Sequence, residues 1–214
     1  MRKNRYRLIS LFLCMALSVP VYAQGGATYS LLKKPVANAV QENGAVVEFF
    51  SFYCPSCYAF SQGYGIDKAI RDALPAGGKM SKYHTGFLGP LGDELTRAWS
   101  VAIVAGIEEQ IEPLLFDAVQ KTQTLKSAED IRVVFMKAGM SAVEYDRMLV
   151  SQKVIDMTEK QKRLFKEYDV TGTPSVYVNG RYRIENSAFH ADSVEDFREN
   201  YVVAVKSLLD MADK

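Results

Sequence analysis

Histidine, tryptophan and cysteine are scarce in this chain of 214 residues, with two, one and three of them. Zinc takes four protein ligands in a structural site, and no Cys-x-x-Cys…His-x-x-x-His spacing is present. A Cys2His2 arrangement is left as a formal alternative only. No internal repeat and no low-complexity linker divides the chain. No basic cluster stands out, so nucleic acid is not an expected partner. The long apolar run, Leu8–Val21, holds 14 residues, short of the roughly 20 that a membrane span needs.

That run has the pattern of an export signal. Arg2, Lys3, Arg5 and Arg7 precede it without an acid, and Val21-Tyr22-Ala23 places small residues at −3 and −1 of a cut before Gln24. Residues 1–23 are therefore expected to be a cleaved signal peptide and the mature protein to be exported. The alternatives are an uncleaved amino-terminal anchor and a lipoprotein cut before Cys14. The second is disfavoured because Leu11-Phe12-Leu13 lacks small residues. Cleavage removes Cys14 and four of the 26 basic residues, leaving Cys54 and Cys57 and 22 basic against 25 acidic residues, a net of −3.

The informative feature is Cys54-Pro55-Ser56-Cys57. It follows Ala45–Phe52, a short run rich in branched and aromatic residues that reads as a buried strand. A stretch with helical character follows it. A Cys-x-x-Cys between strand and helix start is the arrangement of a thioredoxin-like redox site. There the free N–H groups of the first turn favour a thiolate, the species that attacks disulfides. The competing readings are a structural disulfide and a metal site. A ring with two intervening residues constrains little of the unfolded chain and so stabilises little. A mature chain of this length buries an adequate core without a staple.

Organisation follows from periodicity. A helix is expected over Cys57–Ala73, weakened at Gly63 and Gly65 and ending near Leu74-Pro75. A second strand is expected over Lys79–Thr85, and Gly86–Gly92 reads as a crossing loop. Residues from Leu95 onward are helical: Leu95, Ala98, Trp99, Ala102 and Ile103 share a face. Ser127-x-x-Asp130 and Ser141-x-x-Glu144 mark helix starts with Gly139 as a stop between them. A longer helix runs from Lys153 through Val154, Met157, Gln161, Leu164, Phe165 and Tyr168. Ser175–Val178 and Tyr182–Glu185, joined through Asn179-Gly180, predict a type I′ hairpin. A last helix spans about Ser193 to Met211. Sheet-forming pieces on both sides of a helical block predict a small α/β domain with a helical insertion.

With these pieces in place, the chain resembles the DsbA family of exported thioredoxin-fold oxidases over nearly its whole mature length. The resemblance rests on Glu48–Phe52 before the cysteines, Lys82-Tyr83-His84, Leu95–Trp99, Val119–Thr124 and Val178-Asn179-Gly180. It implies a thioredoxin-like domain from 24–86 and 163–214, interrupted by a helical domain over 87–162. It implies Cys54 as the attacked sulfur, Cys57 as the buried one, and Thr173-Pro174 as a cis-proline loop lying against them. Two departures concern oxidising strength. Ser56 stands where the best-known oxidases carry His, and Thr173 where they carry Val. A hydroxyl can donate a hydrogen bond to a thiolate but brings no charge.

Glu48 interrupts an apolar strand. Its bland reading is an acid on an open face. Its functional reading is a buried carboxylate tuning the thiols or taking protons, with Lys82 of the neighbouring strand as partner. His84 and Trp99 read as structural. Tyr53, Phe60, Phe87 and Leu88 are candidates to edge an apolar groove near the cysteines, with ordinary packing as the alternative. The function expected is a periplasmic thiol–disulfide oxidoreductase that introduces disulfides into reduced, unfolded exported proteins, as a monomer and without a cofactor or metal. The resemblance implies reoxidation by a DsbB-like quinone-linked membrane protein. The alternatives are an isomerase or reductase, suggested by Ser56 and Thr173, and a peptide-binding chaperone with a structural disulfide.

Overall fold

The run Val46–Phe50 forms a strand, β2, with every residue buried. In a strand successive side chains face opposite ways. Val46 accordingly packs with the final helix, while Val47 and Phe49 pack on the opposite face. A computed structural model describes residues 27–211. The expected signal peptide, Cys14 and the cleavage point before Gln24 lie outside the described residues. Before β2 come β1 (Tyr29–Leu31) and α1 (Ala39–Asn43). After it follow α2 (Pro55–Tyr58), α3 (Ile66–Ala73), β3 (Met80–His84), α4 (Gly92–Ala105), α5 (Glu108–Phe116), α6 (Ala128–Lys137), α7 (Ala142–Leu149), α8 (Gln152–Glu167), β4 (Ser175–Val178), β5 (Tyr182–Ile184) and α9 (Val194–Asp210).

The strands form one sheet in the order β1-β5-β4-β2-β3. β2 and β3 are parallel, which requires a crossover, and α2 with α3 supplies it. β4 pairs antiparallel with both β2 and β5. Val46, Val176, Val178 and Ile184 meet Tyr201, Val205 and Leu208 of α9 on one face. Val47, Phe49 and Tyr177 meet Leu164 and Tyr168 on the other. Between β3 and β4 the described chain is helical. A separate core forms there around Trp99, Phe116 and Phe135 and is continuous with Phe50, Phe52 and both cysteines. This is the α/β architecture expected, a thioredoxin-like core with a helical insertion. One helix, α8, runs unbroken across the expected 162/163 domain boundary.

The insertion also closes an edge. β3 is a terminal strand whose outward backbone groups would otherwise lack partners. Trp99 donates its indole N–H to the Lys82 carbonyl at 2.9 Å, and Gln161 accepts the His84 N–H at 2.7 Å. Gln161 in turn donates to the Thr96 carbonyl and to Ser100 Oγ. Trp99 is thus core, and it is also an edge cap.

Two local expectations need correction, and two short elements went unseen. The helix over 57–73 is not continuous. Tyr64 N–H bonds the Ala59 carbonyl in a π-type turn over Ala59–Gly63, and Gly65 at φ 63° starts a new helix. Glycine reaches that left-handed conformation without a Cβ penalty. The hairpin turn has Asn179 and Gly180 both at positive φ, as type I′ requires. The ladder resumes at Tyr182 opposite Val178, however, so Arg181 makes the loop one residue longer. The sequence reading passed over β1 and α1, which are three and five residues long.

Serines at 127, 141 and 193 each accept the N–H three residues on and cap the helices expected there. At the start of α4 the Gly86 carbonyl lies where a Gly92 Cβ would come within 2.1 Å of it. Both partners are backbone, so neither can turn aside. Gly92→Ala is expected to cost about 2 kcal/mol or more of unfolding free energy in urea melts. A loss below about 0.5 kcal/mol, the ordinary surface range, would contradict this close approach.

Candidate active site

Cys54 occupies the N-cap of α2, with Pro55 at the first helical position, where its missing N–H costs nothing. The Cys57 backbone N–H points at Cys54 Sγ from 3.2 Å and is shared with the Cys54 carbonyl at 3.1 Å. Ser56 Oγ stands 3.1 Å from the same sulfur. The Thr173 carbonyl accepts from Cys54 Sγ at 3.3 Å and from Ser56 Oγ at 3.4 Å. The Thr173–Pro174 bond is cis. The structure therefore brings Cys54, Pro55, Ser56, Cys57, Thr173 and Pro174 together. Both cysteines are free thiols.

The two sulfurs differ sharply. Cys54 is lowered from the usual 9.0 to about 5, first by hydrogen bonding with the Cys57 thiol, against desolvation, then with help from the side chains of Ser56 and Thr173 and last from the Cys57 backbone N–H. Thr173 acts in two ways. Its carbonyl accepts a hydrogen bond from the protonated thiol, and its side chain favours the thiolate. Because α2 has four residues, these direct contacts, rather than a long helix dipole, carry the shift. Cys57 is fully buried, and desolvation with the neighbouring Cys54 sulfur pushes it far up. At neutral pH the pair is one thiolate and one thiol.

Glu48 does not face an open side. It is fully buried and sits in register opposite Lys82 on the parallel strand β3. The ion-pair distance to Lys82 Nζ is 3.4 Å, but neither Glu48 oxygen has a hydrogen-bond partner among the described residues. The short contacts of Lys82 go elsewhere, to Asp67 at 2.7 Å and Glu112 at 2.5 Å. Ser61 Oγ bridges these two carboxylates, and Arg71 reaches Asp67 at 3.5 Å. Burial pushes Glu48 up to about 8, the other two acids add to this, and Lys82 opposes it. Burial alone would lower Lys82, but the acidic groups around it, Glu112 first, outweigh that and hold it charged. Desolvation likewise works against the Asp67 carboxylate, and Lys82 and Arg71 overcome it. Asp67 and Glu112 thus face Lys82 and Arg71, while Glu48 keeps its proton.

Sequence reasoning found Glu48 and Lys82 but missed Asp67, Glu112 and Ser61. Asp67 looks like an ordinary acid in the first turn of a helix, and Glu112 lies 45 positions further on. No spacing rule links them. A cavity of about 410 Å³ reaches Lys82 and Glu112 and is lined by neither cysteine. Among the described residues no group of three or more His, Cys, Asp or Glu is placed to hold a metal. The carboxylate cluster is centred on the Lys82 ammonium.

The remaining candidates separate. His84 is a buried neutral residue held far below its usual range by desolvation. It accepts the Phe52 N–H at 3.2 Å and pairs with Thr96 at 2.8 Å. Phe60 is core, packed edge-on against Tyr201. Tyr53 and Leu88 are half-buried, and Phe87 is exposed and lies against Phe165.

Residues 45–202 match the model of the DSBA-like thioredoxin domain. A thiol:disulfide interchange protein DsbA from Pectobacterium carotovorum is 44% identical over 209 residues, covering 98% of this chain and 99% of that one. The crystal structure of SrgA from Salmonella enterica serovar Typhimurium superposes with a TM-score of 0.81 at 54% identity, over 85% of this chain and 98% of that one. Proteus mirabilis DsbA in complex with a non-covalently bound peptide gives 0.82 at 40% identity, over 87% and 97%.

The protonated state of Glu48 has a pH signature. Between pH 4.5, its ordinary value, and about 8 the unfolded chain releases this proton and the folded chain keeps it. Folding therefore loses stability as pH rises through that window. Glu48→Gln imitates the protonated carboxyl and lacks the effect. Urea melts of both proteins are expected to show wild type losing ground to the variant across this window. A difference that does not change with pH would contradict a protonated Glu48.

Proposed function

The chain belongs to the DSBA-like thioredoxin family, and on that premise we propose that Cys54 is its attacked sulfur, Cys57 its buried partner, and exported proteins its substrates. The protein is a thiol–disulfide oxidoreductase. The observation that carries the assignment is the opposed environment of the two thiols: Cys54 lowered by donors around it, Cys57 raised by burial.

In the oxidised enzyme a substrate thiolate attacks Cys54 Sγ. The Cys54–Cys57 bond breaks, and Cys57 leaves as a thiolate that takes up a proton. A second substrate thiolate attacks the substrate sulfur of the mixed disulfide, and Cys54 leaves as a thiolate. The substrate is oxidised by two electrons and the enzyme is reduced by two. The leaving group of the second step is the stabilised thiolate, which favours oxidation of the substrate. Ser56 and Thr173 support that thiolate as neutral partners. Glu48 and Lys82 lie beneath the site as groups that tune the thiols and hold a proton.

The proposal extends to the setting. The chain is exported to the periplasm after cleavage before Gln24, acts as a monomer on reduced unfolded polypeptides, and is reoxidised by a DsbB-like quinone-linked membrane protein. Residues 24–86 and 163–214 form the redox domain, and 87–162 the inserted helical domain. A bound peptide in the Proteus mirabilis relative supports polypeptide substrates.

Two experiments test this reading. Cys54→Ala is expected to abolish oxidation of a reduced test protein. Given a disulfide-containing protein, Cys57→Ala should accumulate mixed disulfides in which the Cys54 thiolate has attacked that disulfide and released its second sulfur as a thiolate, visible by mass spectrometry of the trapped species. Trapping through Cys57 in the Cys54→Ala protein instead would reverse the assignment. The second experiment compares the redox forms. Between pH 5 and 9 the folded dithiol has released the Cys54 proton that its unfolded chain retains. The reduced form therefore gains stability as pH rises through this window and loses it as pH falls through 5. Urea melts should show the reduced form more stable than the disulfide form at pH 7, by a margin that grows towards pH 9. A disulfide form at least as stable throughout would favour a reductase or a structural bridge.

A further inference from the structure

The segment Val119–Thr124 takes no part in the thiol chemistry described so far, yet one of its side chains ends at the redox turn. Gln120 lies in a π-type turn over Asp117–Lys121, closed by the Thr122 N–H on the Asp117 carbonyl at 2.9 Å. Such turns insert a residue into a helix and re-aim the side chains beyond it. Gln120 Nε2 donates to the Phe52 carbonyl at 2.8 Å and to the Cys54 carbonyl at 2.9 Å. Both amide protons are thereby spent. The orientation of the amide follows from its partners, since two carbonyl oxygens can accept only from its nitrogen.

We propose that Gln120 is a positioning residue through which the helical insertion sets the stability of the Cys54 thiolate. The inference rests on the reading of Cys54 as the reactive thiolate. The Cys54 carbonyl already accepts from the Cys57 and Tyr58 N–H groups, each at 3.1 Å. Its oxygen carries partial negative charge on the same residue as the sulfur. A third donor on that oxygen offsets its repulsion of a thiolate, and the Gln120 amide dipole directs its positive end there. The adjoining peptide is held from both sides. Phe52 donates its N–H to His84 Nε2 at 3.2 Å while Gln120 holds its carbonyl. Cys54 N–H bonds the Ser51 carbonyl at 3.0 Å. The turn that aims Cys57 N–H at Cys54 Sγ is fixed by one side chain from β3 and one from the insertion.

The test uses the full mature protein and three substitutions of opposite electrostatic sense. Gln120→Met keeps size and removes the dipole. Gln120→Glu places negative charge where the donor stood. Gln120→Lys restores a donor with positive charge. The readouts are the pH dependence of Cys54 alkylation and the equilibrium with glutathione. The alkylation midpoint is expected to rise in Gln120→Met, to rise further in Gln120→Glu, and to stay at or below wild type in Gln120→Lys. The glutathione equilibrium should move against the reduced enzyme by about three- to tenfold in Gln120→Met, the range of one or two ordinary hydrogen bonds. A brace with only a structural role would lower the unfolding midpoint in all three variants without this order. If Gln120→Glu does not fold, the Met and Lys pair decides. Midpoints and equilibria within twofold of wild type in Gln120→Met and Gln120→Lys would overturn the proposal. An ordinary thiol midpoint in wild type would remove its premise, a failure read from a different protein sample.

Discussion

The cluster of hydrogen bonds around Cys54 Sγ, led by the Cys57 thiol and joined by the Cys57 N–H at 3.2 Å, is what the redox site depends on. The N–H contact exists because Cys54 stands at an N-cap, where the first turn has N–H groups without helical partners. Pro55 opens that turn with its φ already suited to a helix. A neutral capping side chain would be adequate for the helix, but a thiolate makes the stronger charge-assisted bond. The same turn buries Cys57 completely. One local geometry thus lowers one thiol and raises the other, and this asymmetry gives the pair a direction.

Around that turn the fold supplies fixed partners from distant parts of the chain. Thr173 comes from the loop before β4, His84 from the end of β3, and Gln120 from the insertion. Beside β2, Lys82 gathers three acidic side chains whose charges would be prohibitively costly to bury unpaired. The accounting closes when Glu48 keeps its proton. Then Asp67 and Glu112 face Lys82 and Arg71, two charges of each sign. Burial first, and then the charges of Asp67 and Glu112, favour the proton on Glu48 against the pull of Lys82.

Much of this was legible in the sequence because it is written in local patterns. Buried-strand composition marked β2, serine caps marked α6, α7 and α9, and Asn179-Gly180 marked the hairpin. The Cys-x-x-Cys motif, with the resemblance it carried, gave the redox class. What escaped was set by tertiary packing. β1 and α1 are too short to show a period, and the break at Tyr64-Gly65 looked like a tolerated glycine within one helix. The partners of Lys82 come from α3 and α5, and Gln120 reaches its carbonyls across 66 and 68 positions of chain. No spacing rule joins such residues. Glu48 was recognised because an acid inside an apolar strand is conspicuous. Asp67 and Glu112 lie on amphipathic helices, where an acid is ordinary.

The account rests on Cys54 existing as a thiolate in the reduced protein at neutral pH. Titration of the ultraviolet absorbance of the thiolate in the reduced wild-type protein measures this directly. The geometry predicts a single thiolate forming with a midpoint near 5, with Cys57 silent through neutral pH and beyond. A midpoint near the ordinary 9.0 would contradict the account, because the donors around Cys54 would then not be stabilising its charge.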